Sequence, residues 1–202
     1  MRDAWPAARA VLADPGQRAR WLRHGATWFV GVNALDNDAA GSVAGGPALA
    51  GRAADAALAH AGALNWDRAQ ISAVLPGYPG RDPGESDGAH RFRRDRAAAH
   101  VDGLVPMGPA RRRVPAERHA LILGIALTEA DPGAAPLTVW EGSHHLIRAA
   151  LARVLSGCDP ARWHAADVTA AYHAARRAAF ARCRRVTLPA APGEAMLLHR
   201  FT

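Results

Sequence analysis

No lysine occurs among the 202 residues; all 25 basic residues that are not histidine are arginine. A net charge of +7 and a pI near 11.0 would ordinarily suggest nucleic acid or an acidic partner. Here the arginines are mostly scattered among acids, and alanine is abundant, so the charge reads as a coding bias. Three basic runs stand out: Arg91 to Arg96, Arg111 to Arg113 and Arg182 to Arg185. Phe92 is the single aromatic within them, short of the interleaving on which single-stranded bases stack, so no nucleic-acid partner is expected. Cysteine is nearly absent. Cys158 and Cys183 are too few for a disulfide framework and lack metal-ligand spacing, which fits a cytoplasmic setting. No apolar run reaches membrane-spanning length, and the N-terminal Met-Arg-Asp-Ala-Trp-Pro has no apolar core of a secretory leader. Neither an internal repeat nor a low-complexity tail is present.

Half the residues are hydrophobic, enough for a real core. Ala4 to His24 reads as two helical pieces broken at Asp14-Pro15-Gly16. Thr27 to Val32 and Ile71 to Leu75 read as strands, with a loop from Asn33 to Pro47 and an Ala-rich helix from Ala48 to Leu64 between them. Gly41-Ser-Val-Ala-Gly-Gly46 lacks the Gly-Lys-Ser/Thr ending of a phosphate loop, so it is read as plain loop. Pro76 to Asp95 is polar and rich in glycine and proline. It is predicted as a long loop, either a lid or a mobile surface segment. Gly103 to Glu117 is predicted as a second loop.

His119 to Leu127 is strongly apolar and is predicted as a strand buried on both faces. Asp131-Pro132-Gly133 predicts a turn, and Pro136 to Trp140 a strand. Glu141 to His145 opens a helix to about Leu155, with Ser143 as its cap. Asp167 to Arg184 is predicted as a helix whose Val168, Tyr172, Ala175, Ala179 and Cys183 share one face. Val186 to Leu188 and Glu194 to His199 are predicted as the last strands. No strand–helix–strand alternation appears, which favours antiparallel sheet with helices packed outside.

One triplet carries chemistry. His100-Val101-Asp102 lies in the apolar run Arg96-Ala-Ala-Ala-His-Val-Asp-Gly-Leu-Val-Pro106. On a strand, residues two apart point to one side, so the imidazole and the carboxylate would converge. Two histidines and one carboxylate on one face of the metal make a non-haem iron site. The triplet supplies two of those three ligands, and by itself reads first as a solvated loop pair.

Four segments occur in an order that resembles a known family: Ala99-His-Val-Asp-Gly-Leu104; Leu121 to Asp131; Gly133 to His144, with its Trp-Glu-Gly-Ser-His; and Pro192-Gly-Glu-Ala-Met-Leu-Leu-His199. The chain resembles the phytanoyl-CoA dioxygenase family of Fe(II)- and 2-oxoglutarate-dependent oxygenases, from about Tyr78 onward. The resemblance implies a mainly β fold with packed α-helices around a double-stranded β-helix core (a cupin-like jelly roll). It further implies Fe(II), 2-oxoglutarate as co-substrate, and a small-molecule substrate. Residues 1–202 would form a single oxygenase-like domain: a mostly helical part over 1–70, then the jelly-roll core over 71–202 with a helical insertion at about 145–184. His100 and Asp102 resemble the iron-ligating histidine and carboxylate. His144 and His145 are weak ligand candidates, because the Gly-Ser-His signature reads as structural. In the family, the last strand runs on to a second ligating histidine and an arginine for 2-oxoglutarate. This sequence stops at Phe201-Thr202, so the core is expected to be C-terminally incomplete, with weak iron binding and little turnover. His199 matches the position ahead of that ligand. His24, His60, His90, His164 and His173 read as surface or helix-packing residues. The other reading is a non-catalytic relative that binds a small molecule or a partner chain.

Overall fold

A computed structural model describes residues 4–131 and 133–202; Pro132, within the turn predicted at Asp131-Pro132-Gly133, lies outside the described residues. The chain divides into two compact units. One comprises the residues up to Ala98 with Leu123–Pro136 and Pro189–Met196; the other comprises Ala99–Ile122, Leu137–Leu188 and Leu197–Thr202.

In the first unit the two opening helices are α1 (Ala4–Ala13) and α2 (Pro15–Trp21). Proline sits where a helix can best start, since its missing N–H has no intrahelical partner there. Asp14 caps α2 by accepting the Gln17 N–H at 2.7 Å. Three antiparallel strands follow in the order β1 (Leu22–Arg23), β2 (Trp28–Gly31), β3 (Ile71–Val74), with Phe29 opposite Ala73. Strand alternation turns Phe29 inward. There it joins Ala8, Leu35 and Ile71 in a core flanked by Trp5, Val11 and Leu12. Helix α3 (Arg52–Ala61) is shorter than its Ala-rich stretch, because Gly51 and Gly62 with positive φ bound it.

The stretch from Pro76 to Asp95 is not all loop. Asp87–Asp95 forms α4, whose cap Ser86 accepts the Ala89 N–H at 3.2 Å. Its sequence, Asp-Gly-Ala-His-Arg-Phe-Arg-Arg-Asp, has no apolar stripe, so periodicity could not show it. A buried guanidinium anchors it instead. Arg93 donates to both carboxylate oxygens of Glu85 and to Gly80 O at 2.9 Å.

In the second unit, residues 103–117 are not an open loop either. They hold the hairpin β4 (Val105–Met107) and β5 (Arg112–Val114). Proline in β4 and arginines in β5 hid the alternation that marks a strand. Strand β7 (Leu137–Trp140) leads into α5 (Ser143–Leu155), and α6 (Thr169–Arg182) packs on α5. Between these helices runs a 3₁₀ turn, Pro160–Ala165. The predicted face of α6 is buried through Val168, Tyr172, Ala175 and Ala179. Val101, Leu104, Ile147 and Leu151 complete that core. The predicted cap of α5 is displaced by one residue. Gly142, at φ +79, occupies the cap position without a side-chain bond, and Ser143 is the first helical residue.

Strand β8 (Arg185–Leu188) pairs with β7, and β9 (Ala195–Leu198) pairs with β6 (Ile122–Ile125). Strand β6 is not buried on both faces: its side chains are half-buried, and Ile125 is exposed. The described strands form four small antiparallel sheets, and helices hold more of the chain than strands do. The fold is therefore mixed helix and sheet rather than mainly β. No helix among the described residues is long and apolar enough to cross a membrane.

Candidate metal centre

His100-Val101-Asp102 does not lie on a strand. It is irregular backbone entering a turn at Asp102 and Gly103. The alternation expected of a strand is nonetheless seen in the exposure of the three side chains. Val101 is 8% exposed and belongs to the core. The side chains on either side of it stay 68% and 44% exposed, and His100 Nε2 stands 3.7 Å from Asp102 Oδ1.

The segment after β9 holds this turn. Asp102 N–H donates to Arg200 O at 3.1 Å, and Glu117 N–H donates to Gly103 O at 3.3 Å. Arg200 then reaches back, with Nη1 on His119 O and Nη2 on Glu117 O, each at 3.2 Å. Burial pushes the Arg200 pKa down, and the Asp102 carboxylate opposes that by favouring the cation. Gly103 has φ +81, and a Cβ there would stand 2.6 Å from Glu117 O and 2.8 Å from Arg200 Nη2. Only glycine fits. Nothing in the sequence pattern singled out Arg200, Glu117 or His119. Their contribution is made through main-chain oxygens and a guanidinium, which leave no periodic signature.

The remaining histidine candidates of this unit gather in a column. Ring centroids are 4.0 Å apart for His145 and His144, 5.0 Å for His144 and His199, and 5.3 Å for His199 and Phe201. Phe201 N–H donates to His199 Nδ1 at 3.1 Å. Neutral His199 therefore carries its proton on Nε2. His144 Nδ1 is buried with no hydrogen-bond partner. Burial lowers the His144 pKa, and the neighbouring His145 and Arg148 lower it further. Among the described residues no three His, Cys, Asp or Glu side chains group as a metal would need. His24, expected as a surface or helix-packing histidine, is paired with Asp82 at 2.8 Å and stacked on Trp28 at 5.6 Å.

The His144 shift has a sign that can be checked. Its folded pKa lies below the unfolded value of 6.5. At neutral pH both states are uncharged there. On acidification the unfolded chain takes the proton first, so stability drains away as pH falls from about 6.5 toward the folded pKa. In urea unfolding at pH 7.5 and 5.5, His144→Asn is expected to lose less stability on acidification than the parent. Identical losses would show that His144 is not a source of the slope.

Comparison with protein-family models, with curated proteins and with solved structures finds no match to this chain.

Proposed function

We propose that this chain is a non-haem Fe(II)- and 2-oxoglutarate-dependent oxygenase of the phytanoyl-CoA dioxygenase type, a hydroxylase of a small molecule. The observation that carries the reading is the convergence of His100 and Asp102 from either side of a core-anchored Val101. Ligand atoms stand about 2.0–2.2 Å from a divalent cation of this kind. Two such donors can be at most about 4.4 Å apart, so a separation of 3.7 Å lets both touch one ion. One imidazole and one carboxylate are also the donor types that non-haem iron takes. The pair fits the group, as two of its three protein ligands.

The strand connectivity supports the double-stranded β-helix reading. Along the sequence the β7–β8 pair is nested inside the β6–β9 pair, and nested antiparallel pairing is the connectivity from which a jelly roll is wound.

When bound, Fe(II) with 2-oxoglutarate and O₂ supplies oxidative decarboxylation coupled to hydroxylation. The chain's own residues do the holding. His100 and Asp102 offer the donors, Gly103 permits the turn, and Arg200 fixes the turn to residues 117–119. The count of two donors also favours a second reading, a relative that binds a small molecule without turnover.

Metal titration tests the proposal. Mn(II) binding, read by loss of the free-ion paramagnetic resonance signal, is expected to weaken at least about tenfold in His100→Ala and in Asp102→Ala. Wild-type affinity in both variants would sink the assignment. A visible charge-transfer band on anaerobic addition of Fe(II) and 2-oxoglutarate separates the oxygenase from the non-catalytic relative, which shows none.

A further inference from the structure

The first unit contains a cavity of about 450 Å³, unconnected with the iron proposal, lined by Gln17, Arg20, Trp21, Asn33, Ala34 and Arg68 together with Val32. That volume lies within the range of small-molecule sites. Its chemistry is lopsided. Two guanidiniums face it, and Arg68 pairs with Asp36 at 3.0 Å across an exposed surface. Exposed pairs of this kind contribute little, so a ligand can take that guanidinium over. Arg20 has no carboxylate within ion-pair distance among the described residues; its guanidinium lies 4.6 Å from the centroid of the Trp21 ring. A ring face accepts the cation without taking its N–H donors as carboxylates would.

The neutral groups extend the pattern. Trp21 Nε1–H donates to Gln17 Oε1 at 3.0 Å, so the indole is pinned and its one donor is used internally. Gln17 then has its amide N–H groups left to offer. Val32 is exposed although it follows directly on a strand, and with Ala34 it supplies an apolar wall. Cationic donors together with small apolar groups in one lining suit a ligand with an anionic group and a flat apolar group.

We propose that this cavity is a binding site for a small aromatic carboxylate, its carboxylate held by Arg20 and Arg68 and its ring against Val32, Ala34 and the Trp21 edge. Benzoate is the probe, with benzamide as its uncharged counterpart, and the full chain labelled with ¹⁵N is the target. The Trp21 indole N–H resonance, identified by its loss in Trp21→Phe, is expected to shift saturably with benzoate and not with benzamide. Affinity is expected to fall about tenfold to a hundredfold in Arg20→Gln and in Arg68→Gln, the scale of one charge-assisted hydrogen bond. Both arginines are exposed, so the variants should keep the parent's circular dichroism. Absence of a saturable shift, equal response to benzamide, or parent-like affinity in both folded variants would each overturn the site.

Discussion

Gly103→Ala is expected to destabilise the chain by about 2–4 kcal/mol and to weaken divalent-metal binding at the same time. Two costs combine. The backbone sits at φ +81, where an L side chain is strained, and the new methyl group would stand 2.6 Å from Glu117 O and 2.8 Å from Arg200 Nη2. A carbonyl oxygen in a main-chain bond cannot swing aside as a side-chain tip can. Relief must come from moving the Asp102–Gly103 turn, and that moves the carboxylate relative to His100. Gly108 in the same unit separates the two costs. Its φ is +66, but nothing lies within 4 Å of an added Cβ, so Gly108→Ala carries the conformational cost of about 1–2 kcal/mol alone. Urea unfolding of the three proteins, with Mn(II) titration beside it, reads the difference. If both alanine variants lose the same stability, the clash is not the cause. If Gly103→Ala binds Mn(II) as the parent does, the turn does not set the donor pair.

The same comparison explains what was legible in the sequence. The Asp14-Pro15 break, the buried stripe of α6 and the strands at Trp28–Gly31 and Leu137–Trp140 are local patterns, and they emerged where periodicity and turn chemistry placed them. Helix α4 did not, because it is held by Arg93 on Glu85 and Gly80, contacts no hydropathy pattern encodes. The β4–β5 hairpin was obscured by arginines, and β6 was over-read because apolar composition does not report how many layers cover a strand. At the candidate site the two chemical groups were readable as a spaced pair. Their scaffold was not. Arg200 reaches the turn from 97 residues away in sequence, through main-chain oxygens that any residue type carries. The turn at Gly103 was visible only as a glycine, not as the contact that requires one.

In the first unit the largest loss is expected for Phe29→Ala, at about 3–5 kcal/mol. Phe29 is fully buried, and its ring fills the space between α1 and the β2–β3 pair, against Ala8, Leu35 and Ile71. Truncation leaves a cavity that rigid strands cannot close. The ring's seat is set from within its own strand. Gly31 lies two residues on, on the same side, and a Cβ there would stand 2.5 Å from the Phe29 ring edge. The glycine is therefore the counterpart of the phenylalanine rather than a flexible point. That relation makes a sharper test than the single loss. Gly31→Ala should be strongly destabilising in the parent and less so beside Phe29→Ala, because the nearer of the two groups it strikes is gone and only Ala34 Cβ, at 2.9 Å, remains. A coupling of about 1–3 kcal/mol is expected from the double-mutant cycle in urea unfolding. Additive losses would mean that the ring and the glycine do not share one space, and that the inward face of β2 is packed by other means.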